Sequence, residues 1–78
     1  MNYTIKYGTL NSSINITEIV LKKCLKQDII FIPDNDHTRA SLFTDPVFGM
    51  HKKIYIVNNT THEQYEYDET QYIYIDIK

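Results

Sequence analysis

Polar and apolar residues alternate over several short runs of the chain, and this period of two is typical of strands that bury one face. The alternation predicts a first strand over residues 2–7 and three more over 53–57, 62–67 and 71–77. Residues 29–32 are uniformly apolar, which predicts a strand that is buried on both faces. The chain therefore has about five predicted strands.

One segment shows a helical period instead. Residues 17–26 place apolar side chains on one broad face and three lysines in the last turns, where positive charge opposes the helix dipole. Asn15 or Thr17 is expected to cap its start. Asp36 is expected to cap a single further helical turn over 38–42. We predict one short helix in an otherwise β-rich chain.

The C-terminal third is expected to form one connected sheet. Asn58–Thr61 is a predicted hairpin turn, because asparagine tolerates the positive φ that such turns require. A second turn is expected at 68–70, so residues 53–77 are predicted to form a three-stranded antiparallel meander. The predicted fold class is mainly β (α+β), in a single small domain over residues 1–78.

A corner in the middle of the chain is predicted to organise the domain. Asp45 precedes Pro46, whose ring pushes the preceding residue out of the helical region. Phe43 and Phe48 flank that corner and are expected to fill the core, since they are the bulkiest apolar groups nearby. Gly49 allows the backbone to turn into the next strand. We therefore expect structural roles for all five residues.

The candidate chemical groups favour structural interpretations. Arg39, the only arginine, is expected to be a structural ion-pair donor to Asp45 or Asp36. The run Asp34–His37 places oxygen ligands at alternate positions but lacks the glycine and distal glutamate of a calcium loop, so a solvated turn is favoured. Cys24 lies on the apolar helix face, where a thiol behaves as a small hydrophobe. We expect no catalytic residue, no metal and no cofactor.

Composition limits the partners and the location. The chain has 78 residues and a formal net charge of -2, which offers no long-range attraction to nucleic acid or to an anionic membrane. Its single cysteine excludes an internal disulfide and favours a reducing, intracellular (cytoplasmic) location. Its apolar runs are too short to span a membrane, and its N-terminal residues lack the pattern of a secretory signal. The richness in Ile, Asn, Lys and Tyr is typical of an AT-rich genome.

The seven tyrosines are the strongest indication of a binding surface. Exposed tyrosines on a sheet stack on sugars or bases, although the acidic neighbours here disfavour nucleic acid. The simpler interpretation is that tyrosines pair across strands and cover a half-buried sheet face. The candidate ligand-binding residues are Tyr55, Tyr65, Tyr67, Tyr72 and Tyr74.

A set of short motifs follows in order along the chain: Tyr7-Gly8, Ile14–Thr17, an apolar strand, Asp45-Pro46 with Gly49, Lys52 and Lys53, and Ile54–Ile56. The set resembles a small β module, the C-terminal domain of unknown function in mitochondrial J-domain proteins of the DnaJ-like C-eleven type. The resemblance covers nearly the whole chain and implies a β fold with an accessory or interaction role and no catalytic residues. Two positions depart from the family pattern, since Asn15 replaces an Asp and Thr44 replaces a frequent Gly.

These observations predict a non-enzymatic protein-interaction or accessory module whose protein partner is unknown. The alternative is a carbohydrate-binding module that uses the exposed tyrosines of the sheet. We also predict a symmetric homodimer formed through strand 71–77, because an edge strand of high β propensity without Pro or Gly exposes unpaired backbone groups. The competing possibility is that this strand is internal and pairs with the first strand at Tyr3–Tyr7 as well as with the hairpin.

Overall fold

The computed structural model describes residues 2–44, 51–68 and 70–76, except for the side chain of Asp36. This part of the chain contains seven strands and two helices. In chain order the elements are β1 (Tyr3–Gly8), β2 (Ser13–Asn15), α1 (Thr17–Lys23), β3 (Leu25–Lys26), β4 (Ile29–Ile32), α2 (Asp36–Phe43), β5 (Lys53–Asn58), β6 (Gln64–Tyr67) and β7 (Ile73–Asp76). A four-stranded sheet has the order β2-β1-β5-β6, and a three-stranded sheet has the order β3-β4-β7. All strand pairs in both sheets are antiparallel.

The turn between β1 and β2 depends on Gly8. Its φ of +145° is a conformation that residues with a side chain rarely adopt. A Cβ at this position would collide with the carbonyl oxygen of Ser12 and would lie 2.7 Å from the Cα of Ser13. The N–H of Thr9 donates to the Ser12 carbonyl at 2.9 Å, which closes the loop and folds β2 back onto β1.

The buried side chains of both sheets and both helices form one hydrophobic cluster. Alternate residues of β1, β4, β5 and β7 supply the strand side chains of this cluster, as the two-residue period of a strand requires. Phe43 at the end of α2 is 1% exposed and meets the Tyr7 ring edge-on, with 5.9 Å between ring centroids. The members are Ile5, Tyr7, Ile16, Val20, Cys24, Ile30, Ile32, Phe43, Ile54, Ile56, Ile73 and Ile75.

The mainly β fold class is confirmed, with a three-stranded antiparallel sheet that includes the C-terminal strand. The strands of residues 53–77, however, do not form one meander. β5 and β6 form a hairpin in the larger sheet, whereas β7 pairs with β4 in the other. The prediction failed because alternation shows which face of a strand is buried but not which strand lies beside it. The described residues also contain more than the expected five strands and one helix.

Strand β4 is buried on one face only, so the prediction of two buried faces was wrong. Ile30 and Ile32 are fully buried, while Ile29 is 45% exposed and Phe31 is half-buried. Although β4 is the central strand of its sheet, the elements described here cover only the face that carries Ile30 and Ile32. An apolar run therefore indicated a strand correctly but not its environment.

The predicted helix over 17–26 ends at Lys23, because the following residues belong to a hairpin. Leu25 pairs with Ile30 across a turn in which Gln27 and Asp28 have φ values of 53° and 67°. Positive φ at both central residues suits the tight turns that match strand twist. The usual Asn-Gly signal is missing here, so the sequence pattern concealed the hairpin.

Both helix starts also differ from the predicted caps. The N-cap of α1 is Ile16, although the Asn15 side chain accepts a hydrogen bond from the Thr17 N–H at 3.0 Å. The N-cap of α2 is Asn35, whose side-chain oxygen accepts from the His37 N–H at 2.8 Å. In both cases a short polar side chain satisfies an open N–H at the helix start, as caps do.

The predicted corner falls mostly outside the described residues. The residues outside the described part of the chain include Asp45, Pro46, Phe48 and Gly49. Phe43 is described, and it lies in the core. Among the described helices, neither has the length and apolar character needed to cross a membrane.

Candidate interaction surface

β7 lies at the edge of the three-stranded sheet. It pairs with β4 through Ile30 opposite Ile75 and Ile32 opposite Ile73. In the part of the chain that the structure describes, no strand pairs with its other side. Its pairing with the first strand, the competing possibility from the sequence, is wrong because β1 lies between β2 and β5.

The direction of the backbone groups of β7 follows from the hydrogen bonds of its neighbour. The N–H of Phe31 donates to the carbonyl of Cys24 at 3.0 Å, so Phe31 directs its backbone groups towards β3. Successive residues of a strand direct these groups to opposite sides, so the isoleucines on either side of Phe31 bond to β7. Tyr74, which lies opposite Phe31, must then direct its N–H and C=O away from β4. These groups point towards the open edge of the sheet.

Aromatic side chains cover the outer face of the same sheet next to this edge. The Phe31 ring stacks on Tyr72 at 5.7 Å between centroids and packs against Tyr74 at 4.9 Å. Tyr72 and Tyr74 remain 58% and 71% exposed, and Ile29 beside them is 45% exposed. We call Ile29, Phe31, Tyr72 and Tyr74 the aromatic face. Contiguous exposed apolar groups of this kind mark interaction sites more often than scattered ones.

Charged side chains border the aromatic face. Ile29 lies between Lys26 of β3 and Asp76 of β7 in the register of the sheet, and both charged residues are exposed. A polar border around an apolar centre is the usual composition of a protein-binding surface.

Arg39 fixes the chain where it leaves β4 and where it leads into β7. Its side chain is fully buried, and its guanidinium donates to the carbonyls of Pro33 (Nε, 2.7 Å), Asp68 (Nη1, 3.1 Å) and Gln71 (Nη2, 2.6 Å). Pro33 follows β4, and the other two carbonyls belong to the connection between β6 and β7. We call this arrangement the carbonyl clamp. The expected ion pair with Asp45, or with the Asp36 side chain, lies outside the described parts of the structure.

The other sheet edges offer less to a partner strand. β2 has three residues and β3 only two, and short edges pair poorly. β6 is as long as β7, but its neighbourhood is acidic: Glu66 pairs with Lys53 at 3.5 Å, and the Tyr65 hydroxyl donates to Glu63 at 3.0 Å. That hydrogen bond and the charge of Glu63 raise the pKa of Tyr65. Asp76 is the one acidic residue of β7, whereas β6 contains Glu66 and directly follows Glu63, so β7 is the less acidic of these two four-residue edges.

The five predicted ligand-binding tyrosines do not form one surface. Tyr72 and Tyr74 belong to the aromatic face, whereas Tyr65 and Tyr67 lie on β6 in the other sheet, on the side that carries Ile54 and Ile56.

Tyr55 points to the opposite side of that sheet, in register with Glu66, and is only 9% exposed. It lines an open depression of about 180 Å³ together with Lys6 and Leu10. Ligand pockets usually occupy about 300–1,000 Å³, so this depression is small for a sugar.

Cys24 is buried in the core, and this burial raises the pKa of its thiol, although the nearby Lys23 opposes the shift. A neutral, enclosed thiol is a poor nucleophile. Within the described residues, no three His, Cys, Asp or Glu side chains converge on a common point.

The motifs that resemble the J-domain module are spread over the larger sheet and its surroundings. Tyr7-Gly8 ends β1, Ile14–Thr17 connects β2 to α1, and Ile54–Ile56 lies in β5. Lys52, which directly precedes β5, is 1% exposed. No family model, curated protein or solved structure matches this chain.

Proposed function

We propose that the protein is a non-enzymatic protein-interaction module that binds an extended polypeptide segment alongside β7. The observation that carries the proposal is the open edge of β7, where the Tyr74 backbone points outward beside the aromatic face. Strand addition of this kind draws affinity from main-chain hydrogen bonds and specificity from alternate side chains.

The geometry defines the kind of segment that fits. Its inward side chains extend the buried face formed by Ile73 and Ile75, so they must be apolar. Its outward side chains pack beside Tyr72 and Tyr74, where aromatic and β-branched residues pair well. A neutral or apolar segment suits the surface, because Asp76 repels an acidic residue placed opposite it.

One further observation agrees with this function, and the proposal also includes a location. The resemblance to the J-domain module implies an accessory or interaction role, as described above. The proposal includes an intracellular, cytoplasmic location, which the single cysteine favours.

A carbohydrate-binding role is the second candidate, because Tyr72 and Tyr74 present exposed rings. The separation of the five tyrosines between the two sheets reduces any sugar platform to this pair and Phe31. A glycan array probed at millimolar concentration distinguishes the candidates, since binding that disappears in Tyr72→Ala would favour the carbohydrate role.

A peptide selection tests the proposal. Because the Tyr74 N–H points away from β4, Tyr74→Pro removes an edge donor while leaving the β4–β7 hydrogen bonds in place. Tyr74→Val is the matched control, as it removes the ring but retains the N–H and high β propensity.

We expect a random eight-residue library to yield alternating apolar peptides that bind the wild type. Their affinity should fall at least about tenfold in Tyr74→Pro and less in Tyr74→Val. Failure to enrich any peptide, or equal binding to Tyr74→Pro, would contradict the proposal.

A further inference from the structure

We infer that β7 of a second copy occupies the β7 edge, in a two-fold symmetric dimer. The inference rests on the proposed function, because it names a partner for the same edge. A two-fold axis that pairs identical strands antiparallel stands perpendicular to the sheet and keeps both aromatic faces on one side. Opposing residues must therefore belong to the same face, which places the axis beside a single residue of β7.

Tyr74 is the residue that best suits this axis. An axis beside Tyr74 sets it opposite the partner's Tyr74 and sets Tyr72 opposite the partner's Asp76. The N–H and C=O of Tyr74 point to the open edge, so the two copies of Tyr74 exchange backbone hydrogen bonds. An axis beside Ile73 or Ile75 would instead set opposite each other two residues whose backbone groups already bond to β4.

The same register joins compatible side chains across the axis. Phe31 lies opposite Tyr74 within each copy, so four aromatic rings form one row across the dimer. Ile73 lies opposite the partner's Ile75, which continues the buried face of the sheet. Asp76 faces an uncharged tyrosine, so no like charges oppose each other directly.

The exposed area indicates a weak dimer. Tyr72 and Tyr74 are 58% and 71% exposed. A fully buried aromatic side chain covers about 150–250 Å², so these two residues supply about 250 Å² per copy and about 500 Å² for the pair. Stable interfaces bury about 1,200–2,000 Å², and smaller ones are transient. We therefore expect a dissociation constant of about 10 μM to 1 mM rather than a permanent dimer.

Sedimentation equilibrium tests the dimer over about 10 μM to 2 mM protein. The wild type should rise from 9.3 kDa towards twice that mass. Tyr74→Pro should remain monomeric, and Tyr74→Val should dimerise more weakly than the wild type. A wild-type mass of 9.3 kDa throughout, or an unchanged dimer in Tyr74→Pro, would overturn the inference.

Cysteine cross-linking tests the register. A hydrogen-bonded antiparallel pair places its Cα atoms about 5.5 Å apart, a separation that a disulfide spans. Oxidised Tyr74→Cys should form a covalent dimer, and so should a mixture of Tyr72→Cys with Asp76→Cys. Tyr72→Cys alone is the control, because in this register it lies about 13 Å from its own copy along the strand. Preferential cross-linking of Tyr72→Cys to itself would refute the register.

The outcomes separate the two proposals. A strictly monomeric protein that still binds the selected peptides at β7 would refute the dimer and leave the interaction function in place. A monomeric protein that binds no peptide would refute both.

Discussion

Removing the carbonyl clamp should destabilise the protein severely. Arg39 is fully buried and, within the described residues, donates three hydrogen bonds at 2.6–3.1 Å to backbone carbonyls. A hydrogen bond from a charged donor contributes about 1.5–3 kcal/mol, and loss of a buried partner leaves each carbonyl unsatisfied. These contributions are not additive, so we expect Arg39→Ala to cost about 3–5 kcal/mol, which is less than the sum of the three hydrogen bonds.

That loss is large for a chain of 78 residues. Native domains have about 0.05–0.15 kcal/mol of stability per residue, which gives about 4–12 kcal/mol here. A loss of about 1 kcal/mol lowers the Tm of a domain this size by about 4–8 °C, so Arg39→Ala should lower it by at least about 12 °C or unfold the protein.

Circular dichroism during thermal and urea unfolding measures the effect. Arg39→Lys should fall between the wild type and Arg39→Ala, because an ammonium retains the charge but not the planar fork that reaches three carbonyls. Lys22→Ala is the control for removal of a cation, since Lys22 is exposed on α1, and it should leave the Tm nearly unchanged. An Arg39→Ala variant as stable as Lys22→Ala would refute this account of the clamp.

Three further changes test other parts of the fold. Gly8→Ala should lower stability by about 1–3 kcal/mol, because a Cβ would meet the Ser12 carbonyl in a backbone conformation suited to glycine; a Tm equal to that of the wild type would contradict this. Phe43→Ala should lower the free energy of unfolding by about 3–5 kcal/mol because it opens a cavity beside Tyr7, and urea unfolding measures this loss. A loss below about 1 kcal/mol would mean that neighbouring side chains fill the cavity. Burial raises the pKa of Cys24, so a thiol reagent at pH 8 should label it at least about tenfold more slowly in the folded protein than in urea, and equal rates would show that it is accessible. Because this pKa is higher in the folded chain, the stability that the neutral thiol contributes is complete below about pH 8.5 and is lost as the pH rises further.

The sequence was most informative where a local pattern determines the structure. Alternation located β1 and β5 within one residue, and it assigned Ile73 and Ile75 to the inner face of β7 and Tyr74 to the outer face. Both results follow from the two-residue period of a strand, which needs no knowledge of its neighbours.

Which strands pair, and which groups form hydrogen bonds with a buried side chain, were harder to predict because both depend on residues far apart in the sequence. Nothing in the alternation of 73–76 indicates that β4 rather than β6 lies beside it. The clamp joins Arg39 to Asp68 and Gln71, about 30 positions along the chain, and its acceptors are backbone carbonyls that every residue carries. The sequence therefore suggested a carboxylate partner for Arg39 and gave no signal for the carbonyls.

Amide hydrogen exchange of β7, followed residue by residue by NMR, tests the open edge most directly. At low protein concentration we predict alternating protection, with slow exchange at Ile73 and Ile75, which bond to β4, and fast exchange at Tyr74. With a saturating selected peptide bound, exchange at Tyr74 should slow at least about tenfold, and at millimolar protein it should slow in proportion to the fraction of dimer. Slow exchange at Tyr74 in the dilute protein, or no change on concentration and peptide addition, would contradict an open edge that binds a partner strand.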